Sequence, residues 1–419
     1  MIKLRFIKKV LCPFIILLLI FTSMIQIVQC DDELEPEPGM PVFKDAAGGK
    51  GAVAVTDQGS LDIAPPVVNA LSAVVVEESS GRIIYNKNAL EKRSIASTTK
   101  IMTALVALEN GNPEDKVIVS KRAAAIGGSI AGLREGEQYT LRELLYAMLM
   151  ISGNDAAIAI AEHIGGSVED FAVMMNDRAR SLGAVNSHFI TPHGLDRADQ
   201  YSTAYDVALI TIEALKNPLF CAIVSTSSST IPGHSLYNTN ELLSSYPGAD
   251  GVKTGFTGQA GRCLVSTAKK NGMRLISVVL GSPTRNARAS ASRSLLDYGF
   301  NNYKLYKLAE QGEIYARIPV YRGIAGYVAL KAERDIILPL NREEAKSINV
   351  REHVPDVLNA PVYAGAGTGY VEYELNGKVL EQSMLVVAED VRKTTYADYL
   401  KLIFETWSTM MREGIFAGL

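Results

Sequence analysis

The chain has 419 residues, 47% of them hydrophobic and 21% charged, and a formal net charge of -3. That is ordinary globular composition, long enough for two domains with cores of their own. The near-neutral balance lacks the basic footprint of a nucleic-acid binder, so no nucleic-acid partner is expected.

Residues 1–30 read as an export signal. Lys3, Arg5, Lys8 and Lys9 precede an apolar run from Val10 to about Phe21, and a mixed stretch ends at Ile27-Val28-Gln29-Cys30. Gln29 speaks against lipid attachment at Cys30. An uncleaved anchor is the alternative, because Thr22 to Val28 extends the apolar stretch toward spanning length. After a cut at Cys30 only Cys221 and Cys263 remain, which is no disulfide framework and leaves open whether they are bridged. Residues 31–66, acidic and then rich in Gly, Pro and Ala, read as a flexible tether.

From Ala70 the pattern changes. Ala73-Val74-Val75-Val76 and Arg82-Ile83-Ile84-Tyr85 flank Glu78-Ser79-Ser80-Gly81 as a hairpin would. The next stretch, RSIASTTKIMTALVALENG, carries Ile101, Leu105 and Leu108 on one stripe, and Gly111-Asn112-Pro113 stops it. This core-facing helix begins with Ser97 and Lys100, three residues apart and so on one face. Thr140-x-x-Glu143 is a capping box that opens a helix over Leu141–Ile151. Ser152-Gly153-Asn154 interrupts it, and Ala156 to Ile164 resumes. Strand-like runs Cys263–Ala268 and Arg274–Leu280 flank Lys269-Lys270-Asn271-Gly272, a hairpin signal. Helical character ends near Asp297-Tyr298-Gly299-Phe300.

Short β-branched segments follow: Glu313–Val320, Gly326–Ala332, Asp335–Leu338, Val350–Val354, Ala360–Ala364, Gly369–Leu375 and Glu381–Val387. They predict an all-β second domain. In the last segment Tyr396, Tyr399, Leu400, Ile403, Phe404, Trp407, Met410 and Met411 share one helical stripe. Such a helix either packs on the β domain or lies on a membrane surface, and its terminal place and its Trp and Tyr favour the membrane. The expected plan is a signal at 1–30, a tether at 31–66, a catalytic domain at 67–302, a β-rich domain at 303–390 and an amphipathic helix at 391–419.

Three motifs stand in order: Ser97-Thr98-Thr99-Lys100, Ser152-Gly153-Asn154 and Lys253-Thr254-Gly255. Each alone is weak; together, in these settings, they read as one site. A serine hydroxyl needs a base to become a nucleophile. A buried lysine near another cation favours its neutral form, so Lys100, with Lys253 supplying positive field, can serve Ser97. The helix start near Ser97 offers amides to a developing oxyanion. Ser152 can relay a proton to a leaving amine, and Asn154 can hold Lys100 or a substrate carbonyl. On an edge strand Gly255 removes side-chain obstruction to a peptide pairing alongside, while Lys253 and Thr254 favour a negative chain end.

With these motifs the chain resembles the D-alanyl-D-alanine carboxypeptidases, low-molecular-mass penicillin-binding proteins of bacterial cell-wall metabolism. The likeness runs from about Ala70 to the end and includes Ala96–Thr103, Ser152–Ala156, Pro192-His193-Gly194-Leu195, Tyr201–Ala204 and Gly251–Gly255. It implies an α+β fold: a β-lactamase/transpeptidase-like catalytic domain with an antiparallel sheet flanked by helices, then a small all-β domain and a terminal amphipathic helix. It implies acylation of Ser97 with Lys100 as general base and Ser152 and Asn154 assisting. Lys253 would bind the substrate's terminal carboxylate, and the backbone amides of Ser97 and Phe256 would form the oxyanion hole. Arg288 falls near an arginine of relatives that affects carboxylate binding.

The implied substrate is the D-Ala-D-Ala end of peptidoglycan stem peptides, with β-lactams as covalent inhibitors and the outer face of the cytoplasmic membrane as location. No metal or organic cofactor is implied; His188, His193 and Asp196 match no strong zinc spacing, and Pro192-His193-Gly194 reads as a turn. The rivals are a β-lactamase, a D,D-endopeptidase and a non-catalytic peptidoglycan-binding protein. The first needs an extra glutamate, and Glu213 with Asn217 lies in an apolar helical run, too close to Lys253.

Overall fold

A computed structural model describes residues 64–412. The expected signal, most of the expected tether and the last seven positions lie outside the described residues. The chain divides into two compact units, Met1–Asn301 and Asn302–Leu419.

The first unit is built on an antiparallel sheet of five strands: β1 (Ser72–Glu77), β2 (Ile83–Lys87), β3 (Ala249–Thr257), β4 (Gly261–Lys270) and β5 (Met273–Ser282), in the order β2-β1-β5-β4-β3. Every residue of β1 is buried. Alternation sends Val74 and Val76 into the large helical core, while Val75 lies on the side of Gly299 in a long covering helix. A sheet covered on both faces explains why its strands read as apolar runs rather than alternating ones. The β1–β2 turn is closed by the buried Glu77 carboxylate, which accepts from Ser79 and Ser80 at 2.7–3.1 Å. The β4–β5 turn is tighter than the sequence pattern suggests. Both strands reach it, and Asn271 and Gly272 alone turn the chain, with φ of 50° and 80°. A two-residue turn with both residues at positive φ matches strand twist.

Six principal helices are α1 (Lys100–Asn110), α2 (Leu141–Met150), α3 (Asn154–Gly165), α4 (Val168–Ser181), α5 (Ala204–Ala214) and α6 (Arg285–Asn302). α2 opens on the expected capping box: Glu143 N–H donates to Thr140 Oγ1 at 3.1 Å, and Thr140 N–H donates to Glu143 Oε2 at 2.6 Å. The buried faces of α1, α2 and α3 meet in one core holding Ile101, Leu105, Leu144, Met148 and Ile158. The start of α1 differs from expectation. Ser97 lies in a 3₁₀ turn, Ala96–Thr99, and the α-helix begins only at Lys100.

The second unit pairs β6 (Lys304–Ala309) with β9 (Ile336–Leu340). A six-stranded sheet combines β7 (Ile314–Tyr321), β8 (Tyr327–Ala332), β10 (Asn349–His353), β11 (Leu358–Asn359), β12 (Gly367–Leu375) and β13 (Lys378–Val387), in the order β10-β12-β13-β8-β7-β11. Ile318, Val320, Leu330, Leu338, Tyr373 and Leu385 fill its core. The expected segment Ala360–Ala364 contributes only the isolated bridge Val362–Val391, since Pro361 offers no N–H to a ladder. The unit is not purely β either. A short helix, α7 (Arg342–Ser347), opens on an Asn341/Glu344 capping box. The terminal helix, α8 (Tyr396–Arg412), exposes Tyr396 by 91%, Leu400 by 68%, Phe404 by 65% and Trp407 by 52%. Among its described side chains these do not pack into a core.

Thr140→Ala removes one bond of the α2 capping box and is expected to lower stability by about 1 kcal/mol. Urea unfolding of the purified chain measures it.

Candidate active site

The site gathers at the start of α1. Lys100 is fully buried, and its Nζ lies 2.9 Å from Ser97 Oγ, 2.7 Å from Asn154 Oδ1 and 2.8 Å from the His193 carbonyl. All three oxygens are neutral acceptors. Ser97 is 2% exposed, and Ala96 before it sits at φ 47°, a conformation an alanine adopts only under constraint.

Two neighbours hold that turn. Gly194, at φ 88°, passes so close that a Cβ there would collide with the Ala96 carbonyl oxygen and lie 2.8 Å from Thr99 Oγ1. From the opposite side comes Gly255 of β3, where a Cβ would lie 3.0 Å from the Ser97 nitrogen. Only a glycine lets that strand pass the serine so closely. β3 is the outer strand of its sheet, so one of its edges carries no strand partner among the described residues.

The second motif sits at the break between α2 and α3. Ser152 has φ 66°, and its buried hydroxyl has no hydrogen-bond partner among the described residues. The structure thus brings Ser152 to the break without linking its Oγ to Lys100. Asn154 makes that link instead, and its Nδ2 donates to the Gly127 carbonyl at 2.9 Å. Asp155 is a residue to which sequence reasoning gave no role. Its buried carboxylate accepts from the N–H groups of Ala131, Gly132 and Leu133 at 2.8–3.1 Å, tying the loop before α2 to the start of α3. Its only signal was its place next to Asn154.

On the third motif, Lys253 is 1% exposed and its Nζ donates to the Thr254 carbonyl at 3.0 Å. Thr254 Oγ1 lies 2.6 Å from Thr239 Oγ1, and Thr239 N–H donates to the carbonyl of Met150, two residues before Ser152. Thr239 therefore joins the second and third motifs, and no motif announced it. Phe256 carries the Arg262 guanidinium over its ring at 3.8 Å. Arg288 is fully buried. Its guanidinium meets both oxygens of Glu241 at 2.9–3.0 Å and reaches the carbonyl of Cys263, the residue paired with Gly255. It ties β4 to Glu241, two residues after Thr239.

His193 is more than a turn residue. Its carbonyl holds Lys100, and its Nδ1 accepts from the Leu195 N–H at 3.1 Å, which leaves the ring proton on Nε2. Burial above all pushes the imidazole down to about 3. His188 Nδ1 meets the Asp199 carbonyl, and Asp196 accepts from Thr257 Oγ1, so His188, His193 and Asp196 serve separate contacts. Glu213 is taken by Arg178 and Lys216. Cys221 and Cys263 are not bridged by a disulfide.

The His193 shift makes stability depend on acid in a defined direction. Above pH 6.5 the ring is neutral folded and unfolded; between about pH 6.5 and 3 only the unfolded chain takes the proton, so stability falls as pH falls. His193→Gln is expected to lose less stability than the unaltered chain between pH 7 and pH 4, read by urea unfolding at each pH.

Comparison with known proteins agrees with this arrangement. The family model described as D-alanyl-D-alanine carboxypeptidase matches residues 60–284, and one described as the C-terminal domain of penicillin-binding protein 5 matches residues 303–393. The chain is 37% identical over 350 residues to the D-alanyl-D-alanine carboxypeptidase DacF of Bacillus subtilis, covering 81% of this chain and 90% of that one. It is 33% identical over 360 residues to DacA of Escherichia coli, covering 82% and 89%. Penicillin-binding protein 5 of Haemophilus influenzae superposes with a TM-score of 0.71 at 34% identity, over 79% of this chain and all of that one. The chain belongs to the D-alanyl-D-alanine carboxypeptidase family.

Proposed function

We propose that this protein is a serine D-Ala-D-Ala carboxypeptidase that removes the terminal D-alanine from peptidoglycan stem peptides. The observation that carries the reading is the buried Lys100 amine at 2.9 Å from Ser97 Oγ, fixed there by Asn154 and the His193 carbonyl.

In this reading the stem peptide lies along the open edge of β3, with its terminal carboxylate toward Lys253 and Thr254. Burial favours the neutral amine of Lys100, which takes the Ser97 proton as Oγ attacks the penultimate carbonyl. The backbone amides of Ser97 and Phe256 receive the oxyanion; the close passage of Gly255 past the Ser97 nitrogen supports that pairing. As the tetrahedral intermediate collapses, the C–N bond breaks and the leaving amine gains a proton from Ser152, which is resupplied by Lys100. A buried hydroxyl without an internal partner suits such a relay. Water then adds to the Ser97 ester, giving up a proton to Lys100, and the shortened stem leaves with Ser97 restored. A β-lactam presents an amide in the same place and should acylate Ser97. Arg288 acts through Glu241 as a positioning residue.

The glutamate weighed for a β-lactamase's deacylation, Glu213, is instead engaged by Arg178 and Lys216. The expected export signal and the exposed apolar face of α8 support a location outside the cytoplasmic membrane, with α8 lying in the bilayer surface.

Free D-alanine released from a D-Ala-D-Ala peptide measures the activity. Ser97→Ala is expected to abolish both release and covalent labelling by penicillin; release persisting at the unaltered rate would sink the assignment. Ser152→Ala is expected to lower kcat by about a hundredfold or more while peptide binding holds. Removal of residues 396–419 should shift the protein from membranes to the soluble fraction with peptide hydrolysis retained; unchanged sedimentation would move the anchor to the N-terminal segment.

A further inference from the structure

The end of β3 is held from behind by a stacked pair of side chains. Phe256 pairs across the sheet with Arg262 of β4, and the Arg262 guanidinium lies over the Phe256 ring, 3.8 Å from its centroid. Arg262 is 3% exposed, so this cation is out of water, where attraction to the face of a ring is strongest. Successive residues of a strand face opposite ways. The neighbouring pair, Gly255 and Cys263, points to the Ser97 turn and the helical core, so Phe256 and Arg262 belong to the reverse side of the sheet. The stacked pair therefore reaches the cleft through the backbone of β3.

The sheet is shaped to bring Arg262 there. β4 and β5 pair in register from Lys270–Met273 to Leu264–Val279 and meet again at Arg262–Ser282, so Leu280 and Gly281 stand opposite Cys263 alone. That is a β-bulge, a device that re-aims side chains beside active sites. Gly281 takes φ 72° and Gly261 φ 68°, and a Cβ on Gly261 would lie 3.2 Å from the Gly281 Cα. Two glycines let the strands close up next to Arg262. Arg288 holds the bulge from the covering helix, donating to the Cys263 carbonyl at 3.4 Å.

In the carboxypeptidase reading, on which this inference rests, the Phe256 N–H turns toward the cleft to meet the oxyanion. An N–H so aimed is outside the β3–β4 ladder, which makes Phe256 and Arg262 a non-hydrogen-bonded pair, the kind whose side chains stand closest. Gly255 before it has no side chain to anchor, and β3 ends one residue later at Thr257. Between a glycine and a turn, the side-chain contact is the nearest restraint on that amide. We propose that Arg262 is a positioning residue for acyl transfer: stacked on the Phe256 ring, it holds the Phe256 N–H at the angle the developing oxyanion needs. It acts through Phe256 and not on the substrate.

The test measures turnover per site. Penicillin titration of the full chain, run to completion, counts competent sites, and D-alanine release from a D-Ala-D-Ala peptide gives kcat and KM. Arg262→Met keeps bulk and removes the charge. It should lower kcat per titrated site about tenfold, less than the loss of a whole oxyanion donor, and leave KM within about twofold. Arg262→Lys, a cation without the flat stacking face, should recover part of that loss. Phe256→Leu removes the ring and keeps the N–H; it should cost about as much, and Arg262→Met added to it should cost less than about twofold more. A merely structural role would lower the number of sites or their stability and leave kcat per site unchanged. That outcome, a rise in KM at unaltered kcat, or losses from the two changes that simply multiply, overturns the inference and leaves the carboxypeptidase reading standing. Where Arg262→Met yields no titratable site, Arg262→Lys and Phe256→Leu decide between the same outcomes. No D-alanine and no penicillin labelling with the unaltered chain overturns the carboxypeptidase reading, and this inference with it.

Discussion

The site depends on one buried amine. Lys100 sits with no exposed surface at the base of α1, and the three oxygens around it come from three separate segments: Ser97 from the turn before α1, Asn154 from the start of α3, and His193 from a loop held by glycine. An ammonium in such a place costs much of its hydration, and three neutral oxygens return only part of it. A core does not keep a lysine there for stability alone. The geometry commits the amine to the serine beside it, and the surrounding structure holds that pairing in place.

That holding is visible as local strain and close approach. Ala96, next to Ser97, and Ser152, close to Asn154, occupy positive φ, and both Gly194 and Gly255 pass close to the Ser97 turn. Asp155, Thr239 and Arg288 form an outer layer. Asp155 fixes the loop against α3, Thr239 ties the α2–α3 break to β3, and Arg288 ties Glu241 to β4, the strand beside β3. None of the three touches Ser97, yet each limits where the cleft walls can stand. Strain of this kind persists only where the surroundings over-determine it.

Much of this was legible in the chain and some was not. The three motifs singled out Ser97, Lys100 and Asn154, which the structure brings together, because their chemistry demands particular residue types, and the α2 capping box marked its helix because both of its partners are local. The layer behind them was silent. Asp155 earns its role from backbone amides 22–24 residues away, Thr239 from a hydroxyl 15 residues away and Glu241 from an arginine 47 residues away. No local pattern encodes such partners. In the second unit, strand-like composition misled at Ala360–Ala364, where Pro361 breaks the ladder, and it hid α7, whose Asn341 and Glu344 carried a signal overshadowed by the surrounding strands. Ser97 on a 3₁₀ turn rather than in the helix proper was likewise invisible, because periodicity does not separate the two in four residues.

The root of α8 is firmly built even though its apolar face is bare: Arg392 grips the Asp398 carboxylate with two nitrogens at 2.6–2.8 Å, and Thr395 donates to the same group. Were that helix to lie in a lipid surface, as proposed, the enzyme would no longer wander through a volume. It would patrol a plane, and its encounters with wall strands would be governed by lateral diffusion and by how near those strands hang to the bilayer. Newly made wall close to the membrane would then be trimmed first, and older layers farther out would escape by distance alone.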